Sequence, residues 1–434
     1  MSGRPPALDY LYSLERFGIK FGLENIRTIL ETLGRPDRAF HTVHIAGTNG
    51  KGSVTAMVDA VVRAAGHRAA RFTSPHLIDL TERFVIDGKP VSEPALVTVI
   101  GEVRDAVDAL VAAGTLPAQP TFFEVTTAAA LELFRRAGVE IGVIEVGLGG
   151  RLDSTNVITP RVSAITSIAF DHEQYLGHTL PAIAAEKAGI IKSRVPVVVG
   201  RVTEEARVVI DAIAREREAP LVPAWEGVSA RRAGATPGHP TRLRLRTPLR
   251  DYGEVSLSLR GDHQIDNAVV AVRVLEQLHE SGIAVPADAV VDGLAHVSWP
   301  GRLEHRRFPD GREMILDAAH NPAGAATLAA YLAETLPSKP PLVFAAMIDK
   351  DVRAMFEALL PAVSALVVTR SSIARSAEPE ALAQQAIAVA PHLPVRVEPI
   401  RANALAAAWA DSPCIVVAGS IFLLGDVLNE TALP

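Results

Sequence analysis

The stretch that most constrains this chain is Thr42 to Ser53, TVHIAGTNGKGS. An apolar strand carrying Val43 and Ile45 runs into glycines at 47, 50 and 52, set around Lys51 and Ser53. The run Val54 to Val62 follows, and its spacing predicts an amphipathic helix starting near Lys51. Strand, glycine loop and helix in that order gather unpaired backbone N–H groups and the positive end of a helix dipole at one point, where a polyphosphate would be held. Lys51 adds a point charge there. The loop departs from the usual Walker pattern, which has a longer glycine spacing and a Ser or Thr directly after the lysine. Here two residues separate Gly47 from Gly50, and Gly52 takes the hydroxyl position. The group that would hold Mg²⁺ must then come from Ser53 or from elsewhere in the chain. The competing reading is a glycine-rich turn between strand and helix that binds nothing.

A chain of 434 residues is too long for one ordinary core, so two domains are expected. With 48% hydrophobic and 21% charged residues it reads as a compact folded protein rather than a disordered one. Its 43 Lys and Arg against 49 Asp and Glu leave a formal charge of −6, which gives no electrostatic reason to expect nucleic acid or an anionic membrane as a partner. The single cysteine, Cys414, lies in the apolar run to Ala418 and reads as a buried structural thiol. It allows neither an internal disulfide nor a Cys-based zinc site, as fits a cytoplasmic protein. The opening MSGRPPALDY lacks an apolar signal core and no run of 18 apolar residues appears, so neither export by that route nor a membrane span is expected.

Helical spacing at Leu8, Leu11 and Leu14, and again at Leu23, Ile26, Ile29 and Leu30, places helices before the first strand, ended by Gly34 and Pro36. Ala69 to Thr73 reads as a short strand that empties into TSPHLIDLTERF. Long helices are predicted over 93–113, closed by Gly114 and Pro117, and over Phe122 to Ala137. Ile141 to Val146 is a nearly continuous apolar run, as in a central parallel strand. It is broken only by Glu145, a carboxylate that needs a partner in such a place. Val162 to Ile168 repeats the pattern and ends at Asp171 and His172. Val195 to Val199, a helix from Glu204 to Glu216 and a strand Leu221 to Pro223 complete the first sheet. Arg242 to Arg246 and Val255 to Leu259 alternate as a half-exposed hairpin, with Arg242, Arg244 and Arg246 on its solvated face. Helices from about His263 to Glu280 and on to about Ala295 lead to Trp299, Pro300 and Gly301, where a domain boundary is expected. Beyond it, strands near 313–317, 341–346, 365–369, 395–398 and 414–418 alternate with helices starting near 322, 351, 378, 401 and 420. The expected fold class is therefore α/β, with a P-loop-type doubly wound N-terminal ATPase domain over 1–298 and a smaller Rossmann-like C-terminal domain over 299–434.

Glu145 and His172 together offer one oxygen and one nitrogen ligand. Otherwise Glu145 is salt-bridged to Lys51 or another cation, and His172 is a hydrogen-bonded core histidine. Lys187, in PAIAAEKAGIIK, reads by itself as a surface lysine near a helix C-terminus, favoured by the dipole. Thr121 and Glu124 fit a capping box, which leaves Phe122 and Phe123 to explain. Gln264 and Asn267 share one helix face. In LDAAHNP, a strand carrying Asp317 gives way to His320 and to a helix with Asn321 as N-cap and Pro322 at its first position.

The loop GTNGKGS resembles the variant found in the Mur ligase superfamily of ATP-dependent amide-forming ligases. GLENI at Gly22 to Ile26 and TSPHL at Thr73 to Leu77 narrow the likeness to the folylpolyglutamate synthase and dihydrofolate synthase family, and it runs, motif by motif, over nearly the whole chain. The resemblance implies ATP held by Gly47, Thr48, Asn49, Gly50, Lys51, Gly52 and Ser53, with Asn267 at the adenine or ribose and Arg302, Asp317 and His320 reaching it from the second domain. It implies a divalent cation on Glu145 and His172, in IEVGLGG and FDH, together with Ser74, which would supply the hydroxyl missing at Gly52. It implies a carbamylated Lys187 at a second Mg²⁺, which requires a depressed lysine pKa. Gly22, Leu23 and Glu24, with Thr121, Phe122, Phe123 and Glu124 and with Leu152, Asp153 and Ser154, would form the pocket for the pterin and its aminobenzoyl arm, where a ring could stack on a flat heterocycle. MIDKD at Met347 to Asp351 and AGSIFLLG at Ala418 to Gly425 fit a glutamate-accepting domain, with no role assigned residue by residue.

The function expected is that of a cytoplasmic, monomeric ligase that uses ATP and Mg²⁺ to join L-glutamate to dihydropteroate or to the tail of folate polyglutamates. A carboxylate attacks the γ-phosphate and the amine displaces phosphate from the acyl phosphate, so the protein's part is to position charge, with Lys51, Lys187 and His172 as the catalytic set. The alternatives are another Mur-type ligase acting on a cell-wall precursor, against which TSPHL and TFFE stand, and a P-loop ATPase that makes no amide.

Overall fold

The computed structural model describes residues 4–18, 20–116, 118–233 and 241–431; Pro117, expected to close a helix, lies outside them. The β-branched run His41–Ala46 forms β1, buried from its second residue onward. It sits inside an eight-stranded sheet with Ala69–Phe72 (β2), Phe84–Ile86 (β3), Lys89–Pro90 (β4), Ile141–Glu145 (β5), Val162–Ile165 (β6), Val197–Val199 (β7) and Leu221–Pro223 (β8). The order is β4-β3-β2-β5-β1-β6-β7-β8, parallel except for the β3 and β4 edge. Because β1 pairs with β5 on one side and β6 on the other, the glycine loop leaves the sheet where their carboxyl ends converge, the usual place for a ligand in such a sheet.

The helix Lys51–Ala64 is not amphipathic as expected: every residue from Gly52 to Val62 is buried. One side lies on the sheet and the other is covered by the helices His263–Glu280 and Ala287–His296. Gly293 allows the second of these so close that a Cβ there would stand 2.6 Å from Val61 Cα. The other face of the sheet carries the helices Pro6–Ser13, Glu24–Thr32, Glu93–Ala112 and Phe122–Arg136 around a separate apolar core.

The strand expected to run to Ile168 stops at Ile165. Past it, Thr166 and Ser167 turn their polar groups onto the glycine loop, where Ser167 O accepts from Thr48 N at 2.8 Å and Ser167 Oγ from Asn49 N at 3.0 Å. Asp171 and His172 therefore stand on a loop and not at a strand end. The hairpin also gains a strand: Ser229–Arg232 (β9), Thr241–Arg246 (β10) and Asp251–Leu257 (β11) form a three-stranded antiparallel sheet. Leu243, Leu245, Val255 and Leu257 join the core beneath the Lys51–Ala64 helix, and Arg242, Arg244 and Arg246 face outward.

Val297 to Leu303 lead into a six-stranded sheet of Glu304–Arg307 (β12), Glu313–Asp317 (β13), Pro341–Phe344 (β14), Ala365–Val368 (β15), Val395–Val397 (β16) and Cys414–Ala418 (β17). Its order is β12-β13-β17-β14-β15-β16, with β12 the antiparallel edge. The five parallel strands stand where the alternation predicted. β12 was missed because its sequence, EHRR, carries no apolar period. Cys414 is half-buried rather than buried, at the start of β17. Among the described residues no helix is long and apolar enough to cross a membrane.

Candidate active site

A cavity of about 630 Å³ opens between the carboxyl ends of β1, β5 and β6 and those of β13, β14 and β17. Thr48 to Ser53 form its floor. Two glycines make the loop possible: Gly50 is left-handed, with φ 86°, and a Cβ on it would strike the Asn267 side chain, while one on Gly47 would strike Thr166 Oγ1. The N–H groups of Thr48 and Asn49 are taken by Ser167, but among the described residues those of Gly50, Lys51, Gly52 and Ser53 meet no protein acceptor. Four donors at the positive end of a buried helix are left for an anion. Gly52 has its own reason, since a Cβ there would stand 2.6 Å from the ring of Trp299, which fills the position of a Walker hydroxyl.

Lys51 folds back, its Nζ donating to the carbonyls of Gly47 at 3.0 Å and Thr48 at 3.1 Å. Lys187 is no surface lysine: it is buried and its Nζ donates to the same Gly47 carbonyl at 3.0 Å. Its helix, Leu180–Ala188, ends against the loop 147–151 and lies on the helix Glu204–Glu216. Burial first, and the charge of Lys51 second, push its pKa down to about 7.

Glu145, the last residue of β5, is buried on the cavity wall with Ser74. The salt bridge to Lys51 weighed from the sequence is not formed; the recorded partner is Ser74 N, at 3.4 Å. Burial, opposed by the charges of Lys51 and Arg302, pushes this carboxyl up to about 7. His172, left-handed at φ 52°, also lines the cavity, and burial holds its imidazole down to about 4. Among the described residues no three His, Cys, Asp or Glu side chains gather as a metal cage.

Asp171 is the junction between the two sheets. Lys350 Nζ lies 2.6 Å from its Oδ1, Asn321 Nδ2 3.1 Å from its Oδ2 and His320 Nε2 3.5 Å from it. Burial by itself would raise this carboxyl, but His320, His172 and Lys350 hold it far below the usual range. Asn321 caps its helix through Gly324 N, at 2.8 Å, and pairs amide to amide with Asn49 of the glycine loop, at 2.9 Å. Arg302, Asp317 and His320 line the cavity, as do Gln264 and Asn267. Asp317 spends both oxygens on backbone, accepting from Leu303 N and Ala319 N, each at 2.9 Å.

None of the ten residues expected around a pterin lines the cavity; the helices Glu24–Thr32 and Phe122–Arg136 and the turn Ser154–Val157, which carry several of them, pack together beside it. Leu23 is in the apolar core. Thr121 and Glu124 form the capping box, at 2.8 and 3.2 Å, and the helix they open packs on Glu24–Thr32 and on the turn Ser154–Val157. Phe122 lies against Tyr12 and under Arg83, and Phe123 against Phe72 at 5.9 Å. Asp153 accepts from Leu148 N at 2.8 Å, Thr155 N at 3.0 Å and Thr155 Oγ1, so its carboxylate is occupied by its own loop. The cluster abuts the cavity wall at Gly147, where a Cβ would stand 2.5 Å from Phe123 Cζ.

Asp171, Lys350, Ser167 and Trp299 were not among the site residues expected from sequence. FDH and MIDKD drew attention to two of them, but no local pattern says that Asp171 and Lys350 meet.

The Mur ligase middle domain matches residues 45–275 and the Mur ligase glutamate ligase domain matches 301–421. A Mycobacterium tuberculosis protein, dihydrofolate synthase/folylpolyglutamate synthase, is 39% identical over 83% of this chain and 76% of its own length. The crystal structure of M. tuberculosis folylpolyglutamate synthase complexed with ADP and AMPPCP superposes with a TM-score of 0.90 at 36% identity, over 99% of this chain and 98% of that one. Escherichia coli FolC in complex with DHPP and ADP superposes with a TM-score of 0.85 at 28% identity, over 99% and 98%.

Proposed function

The chain belongs to the dihydrofolate synthase/folylpolyglutamate synthase family of Mur ligases, ATP-dependent amide-forming ligases, and from that premise we propose how its own residues act. It joins the amino group of L-glutamate to the carboxylate of dihydropteroate or of a folate glutamate tail, through an acyl phosphate. Residues 1–298 serve as the ATP-binding domain and 299–434 as the glutamate-ligase domain of a cytoplasmic monomer. The observation that carries the reading is the cavity floor: four N–H groups uncommitted among the described residues, and the side chains of Lys51 and Lys187, lie beside the buried carboxylate of Glu145.

The N–H groups of Gly50 to Ser53 take the phosphates, and Lys51 balances their charge from the Gly47 side. Asn267 bounds the nucleoside end, and Arg302, whose charge acts on Glu145, reaches the nucleotide from the second domain. Ser74, Glu145 and His172 fit Mg²⁺, because among the described residues Glu145 has a single weak hydrogen-bond partner and a set with one carboxylate suits a cation whose other ligands are phosphate and water. Mg²⁺ there would offset charge on the phosphates. With its pKa near 7, Lys187 presents a neutral amine that can add CO₂, forming an N–C bond and losing a proton to give a carbamate. The pterin and its aminobenzoyl arm lie along the wall where Phe123 meets Gly147. Contacts such as Asn49 with Asn321 and Asp171 with Lys350 draw the domains together and keep water from the acyl phosphate.

Phosphate release from ATP is the test. It should require L-glutamate together with a pteroate or folate. Release indifferent to both, or elicited only by a UDP-muramyl substrate, refutes the reading.

A further inference from the structure

The central strand β1 carries a buried histidine that the mechanism above does not use. Val43 and Ile45 face the Lys51–Ala64 helix, so His44 turns to the opposite face of the sheet, where it is fully buried. A buried imidazole costs free energy unless it is hydrogen-bonded. Its Nε2 lies 2.8 Å from Oγ1 of Thr155, 111 residues further on. Thr155 in turn donates its hydroxyl to Asp153 Oδ1, which also accepts from Thr155 N at 3.0 Å. The second carboxylate oxygen accepts from Leu148 N at 2.8 Å, and Gly147, Leu148 and Gly149 line the cavity. A threonine hydroxyl has one proton, and Asp153 takes it, so the imidazole is the donor. Nε2 therefore carries the hydrogen, and Nδ1, which meets no partner among the described residues, is the bare nitrogen. Burial, and after it the charge of Lys192, hold this imidazole down to about 3, so it stays a neutral donor at neutral pH. The links from Thr155 to Leu148 are made within one loop, and His44 ties that loop to the rigid middle of the sheet.

We propose that His44 is a positioning residue for the pteroate or folate acceptor: through Thr155 and Asp153 it fixes the stretch 147–149, against which the acceptor lies. This rests on the ligase reading above, and it adds a residue that touches neither nucleotide nor acceptor. A Cβ at Gly147 would stand 2.5 Å from Phe123 Cζ and 3.1 Å from Asp153 Oδ2, so a small displacement of that carboxylate moves the wall the ring shares. The phosphate loop is braced from elsewhere, by Ser167 on Thr48 N and Asn49 N, so the effect falls on the acceptor and not on ATP.

The test is steady-state phosphate release by wild type, His44→Leu, His44→Gln, Thr155→Val and the variant combining His44→Leu with Thr155→Val, with dihydropteroate, ATP and L-glutamate varied in turn. Losing one buried hydrogen bond should raise the KM for dihydropteroate by roughly 5- to 30-fold in His44→Leu and in Thr155→Val. The KM values for ATP and glutamate should stay within about twofold. His44→Gln, whose amide N–H can take the place of Nε2–H, should return the acceptor KM to within about threefold of wild type. The combined variant should be no worse than either single one, because both changes break the same link. An unchanged acceptor KM in His44→Leu overturns the proposal, as do an equal rise in all three KM values, additive single effects, or a His44→Gln as impaired as His44→Leu. Should His44→Leu not fold, Thr155→Val decides by itself, and a normal acceptor KM in it overturns the proposal. Wild type that releases phosphate without any pteroate or folate is a different failure: it refutes the ligase reading itself.

Discussion

Lys187 places a lysine where the surroundings disfavour its charge, and that has a measurable cost. Burial takes its pKa from 10.5 to about 7, so between those values the unfolded chain holds a proton that the folded chain has released. Stability must then rise with pH across that window, the sign expected for a depressed lysine. The full shift corresponds to roughly 4–5 kcal/mol of destabilisation at and below pH 7, and the part recovered between pH 7 and pH 9 is roughly 2 kcal/mol. Lys187→Met removes the group while keeping a side chain of similar length. In CO₂-free buffer without nucleotide, urea unfolding at the two pH values should show the variant more stable than wild type at pH 7, with that advantage reduced by about 2 kcal/mol at pH 9. Other titrating groups, Lys192 among them with a pKa near 8, are common to both proteins and cancel. Parallel pH profiles would mean that Lys187 keeps an ordinary pKa, and the carbamate chemistry assigned to it would lose its basis.

Two further outcomes concern the loop. Gly52→Ala should cost about 1–3 kcal/mol, because its Cβ falls 2.6 Å from Trp299, and the cost should shrink in a Trp299→Ala background; additive effects in that double-mutant cycle would exclude the contact as the cause. Lys51→Ala should lower kcat at least about 100-fold with an unchanged far-UV circular dichroism spectrum, and substantial residual turnover would remove the loop from the mechanism.

Much of this molecule follows from the order of residues along the chain. β1, the glycine loop and the Lys51–Ala64 helix are contiguous, so their geometry is local, and the parallel strands β13, β14, β15 and β17 of the second sheet each announce themselves by an apolar run followed by a helical period. The capping box at Thr121 and the N-cap at Asn321 are equally local, since a cap is made within one turn. The edge strand β12 gave no such signal.

What tertiary structure alone decided is the environment of each group. Lys187 is read as exposed from its helix yet is buried against the Gly47 carbonyl 140 positions away, and no period along the helix encodes that neighbour. Gly52 is a departure from a motif until Trp299 is seen beside it. Asp171 and Lys350 lie 179 residues apart, and Asn49 and Asn321 lie 272 apart, so the junction exists only once two separately wound sheets face each other. Backbone geometry depends on neighbours within a few residues, whereas the desolvation and charge that set a pKa or leave a donor free depend on whatever the fold brings within a few ångströms.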